Sequence, residues 1–383
     1  MIRRLYLNNL RCLVNFELDL TDQTGVLIVG RNGSGKSSVI DALEILSSVA
    51  LGRSSFREKL PLSVFSRLSS NLNGSEERPP LRFRLEAGLP QGHRANYEIE
   101  FEWSNVDDEA QVQSERLDVD GIQIFARSAA NVSLRMDPSS NNTFPLDRHI
   151  CALSSIQEPN QDHPLRWFKD WLSNVLVIKP EPERITGLSS VPTRNLVLDA
   201  SNCADWYRWI VTTDPELGSY VNKLLRSIWP DLKAIRNDQR GPSTYDLHLE
   251  FSQEGQRSLR VRLGDLSQGE KIIFLWATLL AWMQINPNSV CVWDEVDEHI
   301  ALFEVQGFIR TLGATVGQGG QLIATSHTTE AVRSFASESV LVLYRSDRLQ
   351  PTREPRFAST MNLPTEDGLA SILARGEEEE AWD

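Results

Sequence analysis

Apolar and polar residues alternate along 2–10 (IRRLYLNNL) and 13–20 (LVNFELDL), which predicts two strands joined by a turn near Arg11. A short apolar run at 26–30 (VLIVG) predicts a buried strand, and apolar residues at helical spacing over 36–51 predict a helix. Between them lies a glycine-rich loop. Alternation returns at 81–87 and 96–103, and 111–127 reads as a hairpin turning at Asp120-Gly121. The serine-, arginine- and asparagine-rich stretch 52–78 reads as a surface excursion, and 128–163 as loop.

The middle of the chain changes character. Residues 164–178 predict an amphipathic helix running into a strand, and 204–230 a helical stretch interrupted near Asp214-Pro215. Strands are expected at 243–252 and 258–266, then a helix over 267–283 and a buried strand at 289–295. A helix at 301–316, a strand at 321–327, a helix at 328–336 and a strand at 339–345 follow. The tail closes in an acidic run, 376–380. The order predicts an α/β fold of mixed and parallel sheets with flanking helices. Two lobes, 1–127 and 246–350, would be separated by a mostly helical insertion at 128–245 and followed by a tail at 351–383.

Composition narrows the function classes. No apolar run is long enough to span a membrane and no signal-peptide pattern opens the chain, so the cytoplasm is the expected compartment. Cys12, Cys151, Cys203 and Cys291 lack metal-ligand spacing and read as buried free thiols. Net charge is −13, with residues 1–100 at +2 and the rest acidic. Nucleic acid could therefore be held only through a local patch, with Arg53, Arg57, Lys59, Arg67, Arg82 and Arg84 as its candidates. Trp167, Trp171, Trp206, Trp209 and Trp229 make the insertion a candidate docking surface, with core packing as the plainer account.

Four elements carry the chemistry. Residues 30–38 (GRNGSGKSS) match G-x-x-x-x-G-K-[ST], with the required strand before and helix after. Backbone amides of Gly30, Asn32, Gly33, Ser34 and Gly35 would cradle phosphate oxygens, together with Ser38 at the helix start. Lys36 would reach the β- and γ-phosphates, and the Ser37 hydroxyl would take a magnesium position. The strand SVCVWDE ends in Asp294 and Glu295, at the sheet edge where α/β proteins bind ligands. Asp294 would hold magnesium through water, and Glu295 would polarise the attacking water. The segment GDLSQGEK (264–271) places Ser267 three residues before Glu270, which by itself is an ordinary capping box. In this order it also fits a helix tip offered to a partner's γ-phosphate. His327 ends another buried strand and could hydrogen-bond the γ-phosphate.

In this order and spacing the four elements resemble ABC-type ATPase heads, and LSQGEK is similar to the SMC, RecF and OLD side of that group. In closer detail the chain resembles the stand-alone AAA15/AAA21 ATPases found in bacterial anti-phage defence modules. The resemblance covers roughly residues 1–125 and 245–345. It implies ATP and Mg2+ as cofactors and a homodimer, or a higher oligomer, closing around ATP. In that dimer Ser267 and Gly269 of one protomer would cover the phosphate bound by the other. It also implies a separate effector, such as a nuclease or toxin, controlled by the ATPase. A RecF-like repair ATPase binding DNA directly is the alternative. The loop after Glu295 reads VDEHIAL, so Asp297 is the candidate for the acidic residue of that loop, and His299 receives no role. Gln157 is the candidate for a further magnesium-contacting glutamine, with a plain loop residue as the other reading.

Overall fold

In the computed structural model, residues 1–52, 56–68, 78–137, 140–157, 160, 162–252, 257–301, 319–336, 339–361 and 368–375 are described. The expected helix at 301–316, from residue 302 on, and the acidic run at 376–380 lie outside the described residues. Two compact units emerge: unit 1 comprises 1–176, 288–292 and 321–383, and unit 2 comprises 177–287 and 293–320.

Unit 1 opens with β1 (Ile2–Asn8) and β2 (Phe16–Asp19), antiparallel as their alternation predicts. The next strand, β3 (Gly25–Val29), belongs to a different sheet. Then come β4 (Leu81–Gly88), β5 (Arg94–Ser104), β6 (Glu109–Val119), β7 (Ile122–Ser128), β8 (Asn131–Asp137) and β9 (Ser140–Pro145). These join β1 and β2 in an antiparallel sheet of order β2-β1-β4-β5-β6-β7-β8-β9. Strict alternation in β4 buries Leu81, Phe83, Leu85 and Ala87 on one face. The β6–β7 hairpin turns at Asp120 and Gly121, whose φ values of 50° and 76° suit a two-residue turn of left-handed residues.

The second sheet of the chain has the order β10-β15-β16-β3-β17-β18, using β10 (Val175–Ile178), β15 (Val290–Trp293), β16 (Gln321–Thr325), β17 (Val340–Val342) and β18 (Arg356–Phe357). β3 runs parallel to both β16 and β17. β15, β16 and β17 are buried at every position, as for a parallel sheet covered on both faces. Helix α1 (Lys36–Ala50) follows β3 and packs on α2 (Pro164–Ser173). The Ser47 hydroxyl donates to the Val175 carbonyl at 3.0 Å. Gln321 ties the sheet to the N-terminal strand, its amide accepting from the Ile2 N–H at 2.7 Å and donating to the Ile2 carbonyl at 2.9 Å.

Unit 2 contains α3 (Cys203–Thr213), α4 (Pro215–Ile228) and α5 (Gln268–Ile285). It also holds a small sheet of β11 (Leu188–Ser189), β12 (Leu232–Gln239), β13 (Tyr245–Phe251) and β14 (Leu259–Arg262), all paired antiparallel to β13. Asp214 breaks α3 from α4 and caps α4, accepting from the Glu216 N–H, with Pro215 at the first helical position. α5 is buried on all sides from Lys271 to Met283. It is an apolar rod, with Trp282 6.2 Å from Trp206 and Phe274 5.3 Å from Tyr207 between ring centroids.

Several expectations need correction. Residues 131–145 are not loop but the β8–β9 hairpin, and 175–178 join the second sheet, so a mostly helical insertion does not begin at 128. Trp206 and Trp171 are buried, and Trp167 stacks on His93 at 4.3 Å, so these rings are spent on packing. Three of the candidate basic residues are in ion pairs. Lys59 pairs with Glu44, Arg82 with Glu100 at 2.9 Å, and Arg84 with Glu98, while Arg53 lies outside the described residues. Among the described residues no helix is long and apolar enough to cross a membrane. All four cysteines are buried and free, and burial pushes the Cys203 thiol up to about 12.

Candidate nucleotide-binding site

The loop between β3 and α1 is built around a concavity. At Gly30 a side chain would land on the Leu343 carbonyl oxygen, so the chain can turn there only without a Cβ. A Cβ on Gly33 would meet nothing within 4 Å. Gly35 caps α1 without any side-chain hydrogen bond, leaving the first amides of the helix without an intrahelical partner. The Ser34 hydroxyl is buried with no hydrogen-bond partner. Lys36 is 5% exposed, and its Nζ donates to the carbonyls of Gly30 at 2.6 Å and Arg31 at 3.2 Å. Ser37 is half-buried in the first helical turn. A ring of backbone donors with one ammonium suits a polyphosphate.

A second segment braces this loop. The Thr352 hydroxyl donates to the Ser34 carbonyl at 2.8 Å, and Arg345 donates to the Gly33 carbonyl at 3.3 Å. Arg345 is itself fixed on the carbonyls of Gln350 and Arg348. Sequence reasoning missed both residues. The only signal is that Arg345 closely follows β17, the strand beside β3.

His327 follows β16 and is exposed. It lines a cavity of about 230 Å³ together with Gly30, Arg31, Asn32 and Ser326. The phosphate loop and the strand-end histidine thus share one cavity wall. Gln157 does not line it and is exposed in the loop after the helical turn Ala152–Ser155.

In unit 2, Asp294 directly follows β15 and is 4% exposed. Its N–H donates to the Ile178 carbonyl at 2.9 Å, and Lys179 Nζ lies 3.2 Å from its Oδ2. Glu295 adopts a left-handed conformation, φ 54°, uncommon for a side-chain-bearing residue. A turn holds it there, with the Glu298 N–H on the Glu295 carbonyl at 3.0 Å. Burial raises the Glu298 carboxyl above its ordinary range, and its hydrogen bond to the neighbouring Glu295 carboxylate raises it further. Asp297 is buried in the same turn. Among the described residues no cluster of three His, Cys, Asp or Glu side chains forms a ready metal site. A divalent cation would therefore need phosphate oxygens to complete its shell.

Ser267 and Glu270 form a reciprocal capping box. The Ser267 N–H and hydroxyl both donate to Glu270 Oε2, at 2.8 and 2.7 Å, and the Glu270 N–H donates back to the hydroxyl. Ser267 is exposed at the tip of α5. A Cβ on Gly269 would sit 2.6 Å from the His299 carbonyl oxygen, so the glycine is required by the turn packed against it.

Comparisons with known proteins bear on the fold that carries these residues. Residues 26–171 match the family described as "AAA domain, putative AbiEii toxin, Type IV TA system". Over 100 residues the chain is 38% identical to the DNA replication and repair protein RecF of Thermomicrobium roseum. That stretch is 26% of this chain and spans only 23% of RecF. Among solved structures, the chain resembles an Smc head bound to the C-winged helix domain of ScpA, with TM-score 0.57 and 14% identity over 93% of this chain and 98% of that one. It also resembles an Smc head with an extended coiled coil bound to the C-terminal domain of ScpA derived from Pyrococcus furiosus. There the TM-score is 0.54 at 13% identity, covering 99% of each chain. At such identities the likeness establishes the fold.

Proposed function

We propose that this chain is an SMC/RecF-like P-loop ATPase head that binds ATP with Mg2+ in the 30–38 cradle and hydrolyses it within a homodimer. The observation carrying this reading is the cavity shared by Gly30, Asn32 and His327 beside an unsatisfied Ser34 hydroxyl. Lys36 leaves two carbonyls for the β- and γ-phosphates, exchanging neutral acceptors for charged ones. Mg2+ would be held by the Ser37 hydroxyl and, through water, by Asp294, and would neutralise charge across the phosphate oxygens. Glu295 orients and polarises the attacking water, and His327 donates to the γ-phosphate.

The second protomer supplies the tip of α5. Ser267 turns its hydroxyl proton from Glu270 to a phosphate oxygen of the partner's nucleotide, and Gly269 lets the backbone approach closely. Two ATP molecules are then enclosed between two heads, excluding water from the reacting phosphate. The test is Glu295→Gln with ATP, followed by light scattering and single-turnover hydrolysis. We expect a trapped dimer and a rate about 100-fold lower or more. A nucleotide-loaded variant that stays monomeric removes the shared site, and wild-type hydrolysis removes Glu295 as the base.

ATP turnover would control a separate effector, a nuclease or toxin, in cytoplasmic anti-phage defence. Support comes from the family description, which names a toxin system. Co-expression with the neighbouring gene's product tests it, since toxicity should depend on Lys36. The identity to RecF favours a second reading, direct DNA binding. ATP-dependent affinity for duplex DNA that collapses with salt would establish that reading.

A further inference from the structure

We infer that Lys179 is a built-in counter-ion for Asp294, one that a divalent cation must displace, making it a positioning residue that tunes metal loading. The inference rests on the reading of Asp294 as the magnesium-holding acid. Lys179 is the first residue after β10, and Asp294 the first after β15. Backbone bonds fix both ends: the Asp294 N–H on the Ile178 carbonyl at 2.9 Å, and the Lys179 N–H on the Leu198 carbonyl at 2.8 Å. The ammonium therefore stands 3.2 Å from Oδ2 by construction of the strand ends.

The surroundings explain why a cation is wanted there. Asp294, Glu295, Asp297 and Glu298 crowd four carboxylates into five residues. Asp294 is almost fully buried, whereas the Lys179 side chain is 48% exposed. A buried carboxylate in such a field needs a partner. A flexible, half-exposed lysine can give that partner up at small cost, because ion pairs reaching solvent are weak. A divalent cation entering beside Asp294 would meet the ammonium at the same oxygen and be repelled by it. Lys179 then swings into solvent or onto the nucleotide's phosphates. No residue pattern announces this role, since the lysine belongs to no motif.

The experiment measures Mn2+ binding to the ADP-loaded full chain by electron paramagnetic resonance, comparing wild type, Lys179→Gln and Asp294→Asn. Removing the competing ammonium should tighten Mn2+ about three- to tenfold in Lys179→Gln. Lys179→Arg, which keeps the charge, should stay near wild type. Asp294→Asn should weaken Mn2+ in either background. If Lys179→Gln leaves Mn2+ affinity unchanged or weaker while Asp294→Asn weakens it, the counter-ion inference fails and the metal reading survives. If Asp294→Asn has no effect on Mn2+, the metal reading itself fails. Melting temperature, followed in parallel, separates a merely structural lysine, which would lower stability without tightening Mn2+.

Discussion

Helices α1 and α5 both begin at residues proposed to meet a triphosphate, yet their first turns are built in opposite ways. α1 starts from a glycine with no side-chain cap, and the hydroxyl of Ser34 beside it has no partner. α5 starts from a closed capping box in which Ser267 and Glu270 satisfy each other. An uncapped helix start presents amides and the positive end of its dipole to any anion, and a capped start does not. On the proposed function, the cradle would receive nucleotide without first giving up a cap, whereas the α5 tip would have to exchange an internal bond for an external one. Binding at the first site and closure at the second would then be separable steps.

Removing the ammonium at the open site has the largest expected effect. Lys36→Ala should lower ATP affinity about 100-fold or more, the scale of losing charge-assisted bonds to phosphate. Titration calorimetry would check this. Circular dichroism of the free variant should show a folded protein, so that the loss is one of binding. An affinity within a few-fold of wild type would mean that the open start of α1 is not where the phosphates sit.

Gly269→Ala comes next. Its Cβ would press on the His299 carbonyl at 2.6 Å, a backbone atom in a turn that already holds two left-handed residues. We expect about 1–3 kcal/mol of lost stability in urea unfolding, on the scale of an overpacked contact. An unchanged midpoint would show that the turn gives way freely and that the glycine is kept for an approaching partner alone.

Ser267 sharpens the comparison further. Ser267→Ala should cost about 1 kcal/mol as a lost cap. Ser267→Asp should keep the cap, since aspartate is a favoured N-cap and its charge suits the dipole. Both should lose the ATP-driven dimer, the second because a carboxylate would face the γ-phosphate. A Ser267→Asp protein that dimerises normally on ATP would confine the residue to capping.

These contrasts also show what a sequence exposes. The β3–loop–α1 unit was legible because its apolar run, glycines and Lys36 form a contiguous pattern. The capping box was legible for the same reason, and Asp120-Gly121 announced its hairpin by residue type. β9 was not, because SNNTFP has little intrinsic strand preference and pairs only because β8 offers its register. The brace from Arg345 and Thr352 reaches backbone carbonyls more than 300 residues away in sequence, a contact that constrains no side chain at the far end. Lys179 was hidden likewise. Its partner comes from a strand pairing, and a lysine after an apolar strand usually means only a chain leaving the sheet.

A third helix start tests the rule at its smallest scale. The turn Ala152–Ser155 is capped not by its own residues but by Glu115, far away on β6. The Ala152 and Leu153 N–H groups donate to its two carboxylate oxygens at 2.6 and 2.8 Å, and the Tyr97 hydroxyl donates at 2.9 Å. Burial raises the Glu115 carboxyl above its ordinary 4.5, although those donors pull it back down. A carboxyl raised on folding is protonated more in the folded chain than in the unfolded one. Its contribution is therefore full below about 4.5 and is lost as pH climbs through the raised value. Glu115→Gln cannot titrate, so the stability advantage of wild type over this variant should be greatest below about pH 4.5 and shrink toward neutrality. The slope of that difference should stay below about 1.4 kcal/mol per pH unit, the limit for one proton. Urea midpoints across this range would measure it. A difference that grows with pH would mean that the backbone amides outweigh desolvation, so that this buried start welcomes a full negative charge much as the open end of α1 is expected to.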